Sequence, residues 1–208
     1  RKRTQMVRQA TMNMLSIQNL YARNRGEQIT ANRVRSLLED DVCDAFADPS
    51  IVLAIEANRQ IFGCLQEQIS VIERAVHDQL KQHSGYKQLQ TVPGIGKILA
   101  ATIALETGDV ARFPGVGHYV SYCRLVGSSY VSNNKRKGAG NTKNGNAYLC
   151  WAYIEAANFA IRFCPRIREY YQKKASRTKR IVALKAVAHK LARACYHVIH
   201  DDASFELS

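Results

Sequence analysis

The chain has 208 residues, 46% of them apolar, enough for a hydrophobic core in one or two domains and inconsistent with wholesale disorder. No apolar run approaches the ~20 residues that cross a bilayer, and the basic start RKRTQMVRQA lacks the apolar stretch and cleavage site of a secretory signal. The net charge of +13 is uneven: residues 1–123 carry 14 cations and 12 acids, residues 124–193 carry 16 cations against Glu155 and Glu169, and residues 194–208 carry three acids and no Lys or Arg. A local basic block is the footprint of a protein that meets a polyanion, and with no amphipathic anchor the polyanion is nucleic acid rather than a membrane.

In chain order, apolar residues at 6, 7, 10, 14, 15, 17 and 20 predict a first helix over 4–23. The acids at 39–48 read as a cluster on a loop, and Asp48-Pro49-Ser50 is a turn and helix-start signal. Beyond it Phe62, Leu65, Ile69, Ile72 and Val76 alternate at spacings of three and four, the seam of a coiled coil or long helical hairpin running to about Gln82, with Ser84-Gly85 as its end. Such a seam serves either packing inside one monomer or pairing between copies.

Residues 89–113, LQTVPGIGKILAATIALETGDVARF, read as apolar helix, V-P-G-I-G-K turn, apolar helix: a helix-hairpin-helix. Gly94 and Gly96 allow the tight turn, and the second helix opens with free N–H groups and the positive end of its dipole, beside Lys97. That combination suits a phosphate oxygen, which makes Gly94, Gly96 and Lys97 candidate contacts. After a turn at Phe113-Pro114-Gly115, further helices are predicted over AYLCWAYIEAANFAIRF, from Pro165, and from about Thr178. The last turns Ile181, Leu184, Val187, Ala188, Leu191 and Cys195 inward and carries Arg180 and Lys185 among the cations of its other face. No strong period-two strand stands out, so the fold class is mainly α.

Residues 128–149, SSYVSNNKRKGAGNTKNGNAYL, hold four cations, five asparagines, three glycines, three serines and no acid. Lys135, Arg136, Lys137 and Lys143 have no acid within the segment to neutralise them, and Arg124 just upstream also calls for a partner; DNA or RNA backbone phosphates would supply one. Glycines 138, 140 and 145 permit close approach of main chain to a ligand. A serine among cations can attack a phosphodiester, because positive charge stabilises both the alkoxide and the phosphorus transition state. Composition alone leaves Ser128, Ser129 and Ser132 open.

The six cysteines at 43, 64, 123, 150, 164 and 195 form no C-x-x-C pair and match no zinc spacing, as for reduced thiols of a cytosolic protein. His197 and His200 share a helical face without an evident thiol or carboxylate partner and read as non-metal.

The strings TVPGIGKILAATIALETGDVARFPG and YCRLVGSSYVSNNKRKGAGNTKNGNAYLCWAYIEAANFAIR resemble the C-terminal half of the IS-one-ten (Piv-like) insertion-sequence transposases from about residue 85 onward. The resemblance implies an RNA-guided DNA recombinase of the bacterial cytoplasm, associated with the nucleoid. Its serine becomes covalently linked to DNA as a phosphoserine, a bridge RNA pairs with the DNA, and homo-oligomers assemble through the coiled coil. By the family's spacing from Arg124-Leu125, the nucleophile is Ser132. The divergent Arg124-Leu125-Val126-Gly127, where many members have Gly-Leu-x-Pro, leaves that position unmoved. The family's Mg2+-binding acidic tetrad has no counterpart here and is expected upstream of Arg1, so this chain alone should be inactive. Residues 1–48 then read as an N-terminal helix and acidic linker, 49–84 as the coiled coil, and 85–208 as the transposase domain. The alternative is a non-catalytic helix-hairpin-helix module that binds DNA or RNA and dimerises through its coiled coil. Either reading requires binding that weakens with salt, by a log–log slope of about −0.9 per duplex phosphate neutralised.

Overall fold

A computed structural model of the chain describes residues 1–127, 129–139 and 143–206, with backbone alone at 129–131, 136 and 139. The described residues are mainly helical, as expected, and divide into two compact units, Arg1–Ala75 and Val76 onward. The first unit therefore joins the expected linker and most of the expected coiled coil to the first helix.

In this unit α1 (Lys2–Arg25) ends where Gly26 takes a left-handed φ of 68° and its N–H reaches the Ala22 carbonyl, and α2 (Ala31–Arg35) starts at the Thr30 side chain, which accepts from the Arg33 N–H. The acids expected on a loop lie instead on a helix, α3 (Glu39–Ala45), with Glu39, Asp40 and Asp41 in its first turn. The reason is the helix dipole: carboxylates are stabilising at an N-terminus, and Asp41 accepts there from the Leu38 N–H at 3.0 Å. Asp48 accepts from the Ser50 N–H at 2.8 Å and Pro49 fills the first helical position of α4 (Pro49–Leu80), as the sequence signal required.

Phe62, Leu65 and Ile69 pack with Met6, Val7, Ala10 and Met14 of α1, and Ile55 joins Ile17, Tyr21, Val34, Val42 and Phe46 in a second cluster. An Arg3–Glu73 ion pair at 2.6 Å closes the far end, so α1 and α4 run antiparallel. The periodic seam is thus occupied within one chain over 62–69.

The second unit begins with the last turn of α4. Its elements are α5 (Ser84–Leu89), α6 (Lys97–Thr107), a 3-10 turn (Val110–Arg112), α7 (Val116–Tyr122), β1 (Ser129–Ser132), β2 (Lys135–Ala139), α8 (Ala147–Phe163), α9 (Pro165–Ala175) and α10 (Arg180–His200). Ser84-Gly85 does not break structure as expected but opens α5, with Gly85 buried. Helix α8 is the hub, in contact with α6, α9 and α10. Its inner face is alanine at 152, 156, 157 and 160, all fully buried, which lets neighbouring backbones come close. On α10 the inward residues include Ala183, Val187, Ala188, Leu191 and Cys195, whereas Ile181, expected inside, is 65% exposed in the first turn, where no neighbour covers it.

Polar groups inside this core pair with each other, as burial demands. The Thr107 hydroxyl lies 3.0 Å from the Tyr119 hydroxyl, which lies 2.6 Å from that of Tyr153. Burial pushes the Cys123 thiol up to about 12 and that of Cys195 up as well. A thiol held neutral in the fold contributes stability that is whole below the ordinary thiol value and lost as pH rises through the folded one. Alkaline destabilisation should therefore set in above about pH 9. In a thiol-reagent titration, exposed Cys43 and Cys64 should react in the native protein, and Cys123 and Cys195 only on unfolding.

Candidate nucleic-acid interface

A short turn joins α5 to α6, and its two glycines differ. Gly94 has φ +85°, and a Cβ there would lie 2.2 Å from the Ala156 carbonyl oxygen and 2.7 Å from the Ala160 nitrogen. Its bareness seats the turn on α8, so packing by itself demands a glycine at this position, which also lines the cleft at the start of α6. Gly96 caps α6 in an extended conformation with open space around it, and both Gly96 and Lys97 are exposed. The free N–H groups at the start of α6 and the Lys97 ammonium thus share one accessible cleft, whose wall includes Thr91, Pro93 and Phe159.

The serine-bearing stretch forms a β-hairpin, although no strong period-two strand stands out in the sequence. Asn133 and Asn134, with φ of 50° and 56°, form the two-residue turn, a conformation asparagine tolerates and one that matches strand twist. Ser132 pairs with Lys135 and Val131 with Arg136, and a bulge between Tyr130 and Val131 leaves Lys137 as the extra residue before Gly138 pairs with Tyr130. Directly paired residues carry Cβ atoms about 4.5–5.5 Å apart on one face of a hairpin. Register therefore makes Lys135 the cross-strand neighbour of Ser132. Ser132 is half-buried, and Lys135 and Lys137 are exposed. Ser128 and Gly140 lie outside the described residues, as do the side chains of Ser129 and Arg136.

Where the basic stretch rejoins the core, Arg124 has partners within the chain itself. Its guanidinium donates to the Gly145 carbonyl at 2.9 and 3.1 Å and to the Lys143 carbonyl, fastening that end of the segment. Gly145, at φ +91°, brings backbone so near Tyr122 that a Cβ would lie 2.3 Å from its carbonyl oxygen. Next comes buried Asn146, whose Oδ1 accepts from the Tyr148 and Leu149 N–H groups at 2.8 and 3.1 Å and so caps α8. Its Nδ2 donates to Glu106 Oε2 at 2.7 Å, and its backbone N–H to the Tyr122 carbonyl at 2.6 Å. Tyr122 in turn lies under the Arg112 guanidinium, 4.8 Å from its ring centroid, and hydrogen bonds from Arg112 and Asn146 hold its phenol below the usual tyrosine range.

Asn146 was legible as the capping residue ahead of an apolar helical run, but its tie to Glu106 crosses forty residues and has no local signal. The other candidate cations lie on α10: Arg180 is exposed in a groove with Tyr171 and Ser176, and Lys185 is half-buried. His197 and His200 do have a carboxylate partner, Asp201, at 3.7 and 2.6 Å. Among the described residues no group of three or more His, Cys, Asp or Glu side chains is placed to hold a metal ion, and no helix is long and apolar enough to cross a membrane.

Comparison with known proteins converges on one group. The family model described as Transposase IS116/IS110/IS902 matches residues 86–172. A Streptomyces coelicolor protein named "Insertion element IS110 uncharacterized 43.6 kDa protein" is 24% identical over 185 residues, 85% of this chain and 46% of the relative. The transposase for insertion sequence element IS1328 of Yersinia enterocolitica is 28% identical over 154 residues, 72% of this chain and 46% of the relative. That for element IS1111A of Coxiella burnetii is 22% identical over 169 residues, again 72% and 46%. The chain spans about half the length of the curated relatives it matches. It is with the transposase domain of the IS116/IS110/IS902 family that residues 86–172, holding both the α5–α6 turn and the serine-bearing hairpin, match.

Proposed function

We propose that this chain is the DNA-joining portion of an RNA-guided transposase, in which Ser132 attacks a DNA phosphodiester. One observation carries the reading: the hairpin register sets Lys135 directly across from Ser132 in a stretch with no acid between 128 and 149. In the step, a bond forms from Ser132 Oγ to phosphorus and the bond from phosphorus to the leaving deoxyribose oxygen breaks. The serine proton ends on that oxygen. The phosphoserine ester conserves the energy of the broken bond, so strands rejoin without ATP. Lys135 stabilises the alkoxide and the charge on the phosphorus oxygens, and Lys137 and Lys143 hold flanking phosphates. Gly96 and Lys97 bind a further phosphate at the start of α6, and Arg180 and Lys185 extend the same basic surface to DNA or to a bridge RNA.

Exposed Leu53, Ile61 and Val71 recur along α4 outside the α1-packed seam, which supports assembly of copies through that helix.

The test uses a transposition-competent protein containing this chain, with its RNA, labelled element-end DNA and Mg2+, on a denaturing gel. Wild type, Ser128→Ala and Ser129→Ala should give a protein–DNA band that survives denaturation, and Ser132→Ala should give none while still binding DNA. Absence of the band from every lane, with salt-sensitive binding intact, would reduce the chain to a nucleic-acid clamp.

A further inference from the structure

The inner face of α8 is buried, but Trp151 and two phenylalanines nearer the helix end are not: Trp151 is 38%, Phe159 45% and Phe163 69% exposed. Their rings lie within 10° of parallel, with centroids 6.5 Å apart, and the Arg162 guanidinium sits 5.3 Å from the Phe163 centroid. Two exposed aromatic rings of matching tilt on one helix have no role in the core. Their surroundings are cationic, since Phe159 walls the cleft that holds exposed Lys97 and both rings fall in the block of 16 cations against two acids.

We propose that Phe159 and Phe163 form a stacking platform for unpaired bases of single-stranded DNA. Successive bases of an unpaired strand are parallel and each has a π-face, so two rings of like tilt accept them irrespective of sequence. The phosphates between them lie within reach of Arg162 on one side and of Lys97 on the other. Charge complementarity selects a polyanion over an apolar protein partner, and rings standing clear of the surface select unpaired bases over a closed duplex, whose bases are stacked on each other. The proposal rests on the reading of this chain as a DNA-joining transposase portion, because strand exchange exposes such bases beside the reacting phosphate.

The test is fluorescence anisotropy on the full chain with a labelled oligothymidylate of about 20 nucleotides, the matching duplex, an oligouridylate and an abasic oligomer. Phe163→Ala should lower affinity for oligothymidylate about tenfold, the scale of one base–aromatic stack, and leave duplex affinity unchanged. Phe163→Tyr should restore it, and wild type should bind the abasic oligomer more weakly than Phe163→Ala binds oligothymidylate, because both stacks are then lost. Unchanged oligothymidylate binding in Phe163→Ala, or an equal loss on duplex, overturns the platform. So does a ring-dependent preference for oligouridylate, or a wild-type dimer that Phe163→Ala converts to monomer in sedimentation, since a second copy would then cover the rings. Failure of salt-sensitive binding to any of the DNAs instead overturns the underlying DNA reading.

Discussion

Gly94→Ala should destabilise the second unit by about 4 kcal/mol and lower its melting temperature by roughly 10–20 °C. Two effects add. An alanine at φ +85° is strained whatever surrounds it, and its methyl would lie 2.2 Å from the Ala156 carbonyl oxygen. Neither side can yield cheaply, because the Ala156 carbonyl and Ala160 amide form a rung of α8, and α8 is wedged by its alanines against α6 and α10. Gly96→Ala, two residues on, meets open space in an ordinary conformation and should cost only about 0.5–1 kcal/mol as a poorer helix cap. Thermal melts of the two variants separate packing from ligand contact: Gly96→Ala should fold and lose DNA affinity, whereas Gly94→Ala should lose the fold first. A Gly94→Ala protein that melts like wild type would mean that the turn is not seated on α8.

The second large effect is expected at Asn146. Asn146→Ala removes the cap of α8 and a donor to the Glu106 carboxylate at once, for about 2–3 kcal/mol. Asn146→Asp keeps the capping oxygen but sets a second carboxylate 2.7 Å from where Glu106 accepted an N–H. Two carboxylates that close raise the folded pKa of the pair. The sign follows: protonation relieves the repulsion, so the Asp variant should approach wild-type stability below the unfolded carboxylate value of about 4 and fall behind as pH rises past it. Denaturant melts of both variants at acidic and neutral pH measure this. An Asp variant no less stable than wild type at neutral pH would remove Glu106 from the account.

Where local chemistry decided the outcome, the residues were readable in advance. Asp48-Pro49 and Pro165 open helices because their fixed geometry leaves little choice, and the alternation of Phe62, Leu65 and Ile69 demanded an apolar partner. What covers that seam was not readable, since α1 lies some fifty residues away in sequence. The acids at 39–44 looked like loop residues because composition says nothing of the dipole they stabilise. The hairpin was hidden by polar strands of four and five residues, although Asn133-Asn134 between short flanks carries the turn signal. Gly94 and Arg124 were seen as residues with a special role, but their partners, an α8 peptide and the Lys143 and Gly145 carbonyls, come only from tertiary packing.

Helix α8 also acts as a ruler. Asn146, at its start, anchors the end of the serine-bearing segment, and Ala156 and Ala160, ten and fourteen residues on, anchor the α5–α6 turn. At 1.5 Å per residue the two anchorages stand about 15–21 Å apart along its axis, the rise of about four to six base pairs at 3.4 Å each. A helix set by alanines has no rotamers with which to stretch or shorten. On the proposed reading, the interval between the end of the serine-bearing segment and the phosphate gripped at α6 is therefore fixed, and one residue inserted into α8 would turn one anchorage about 100° away from the other.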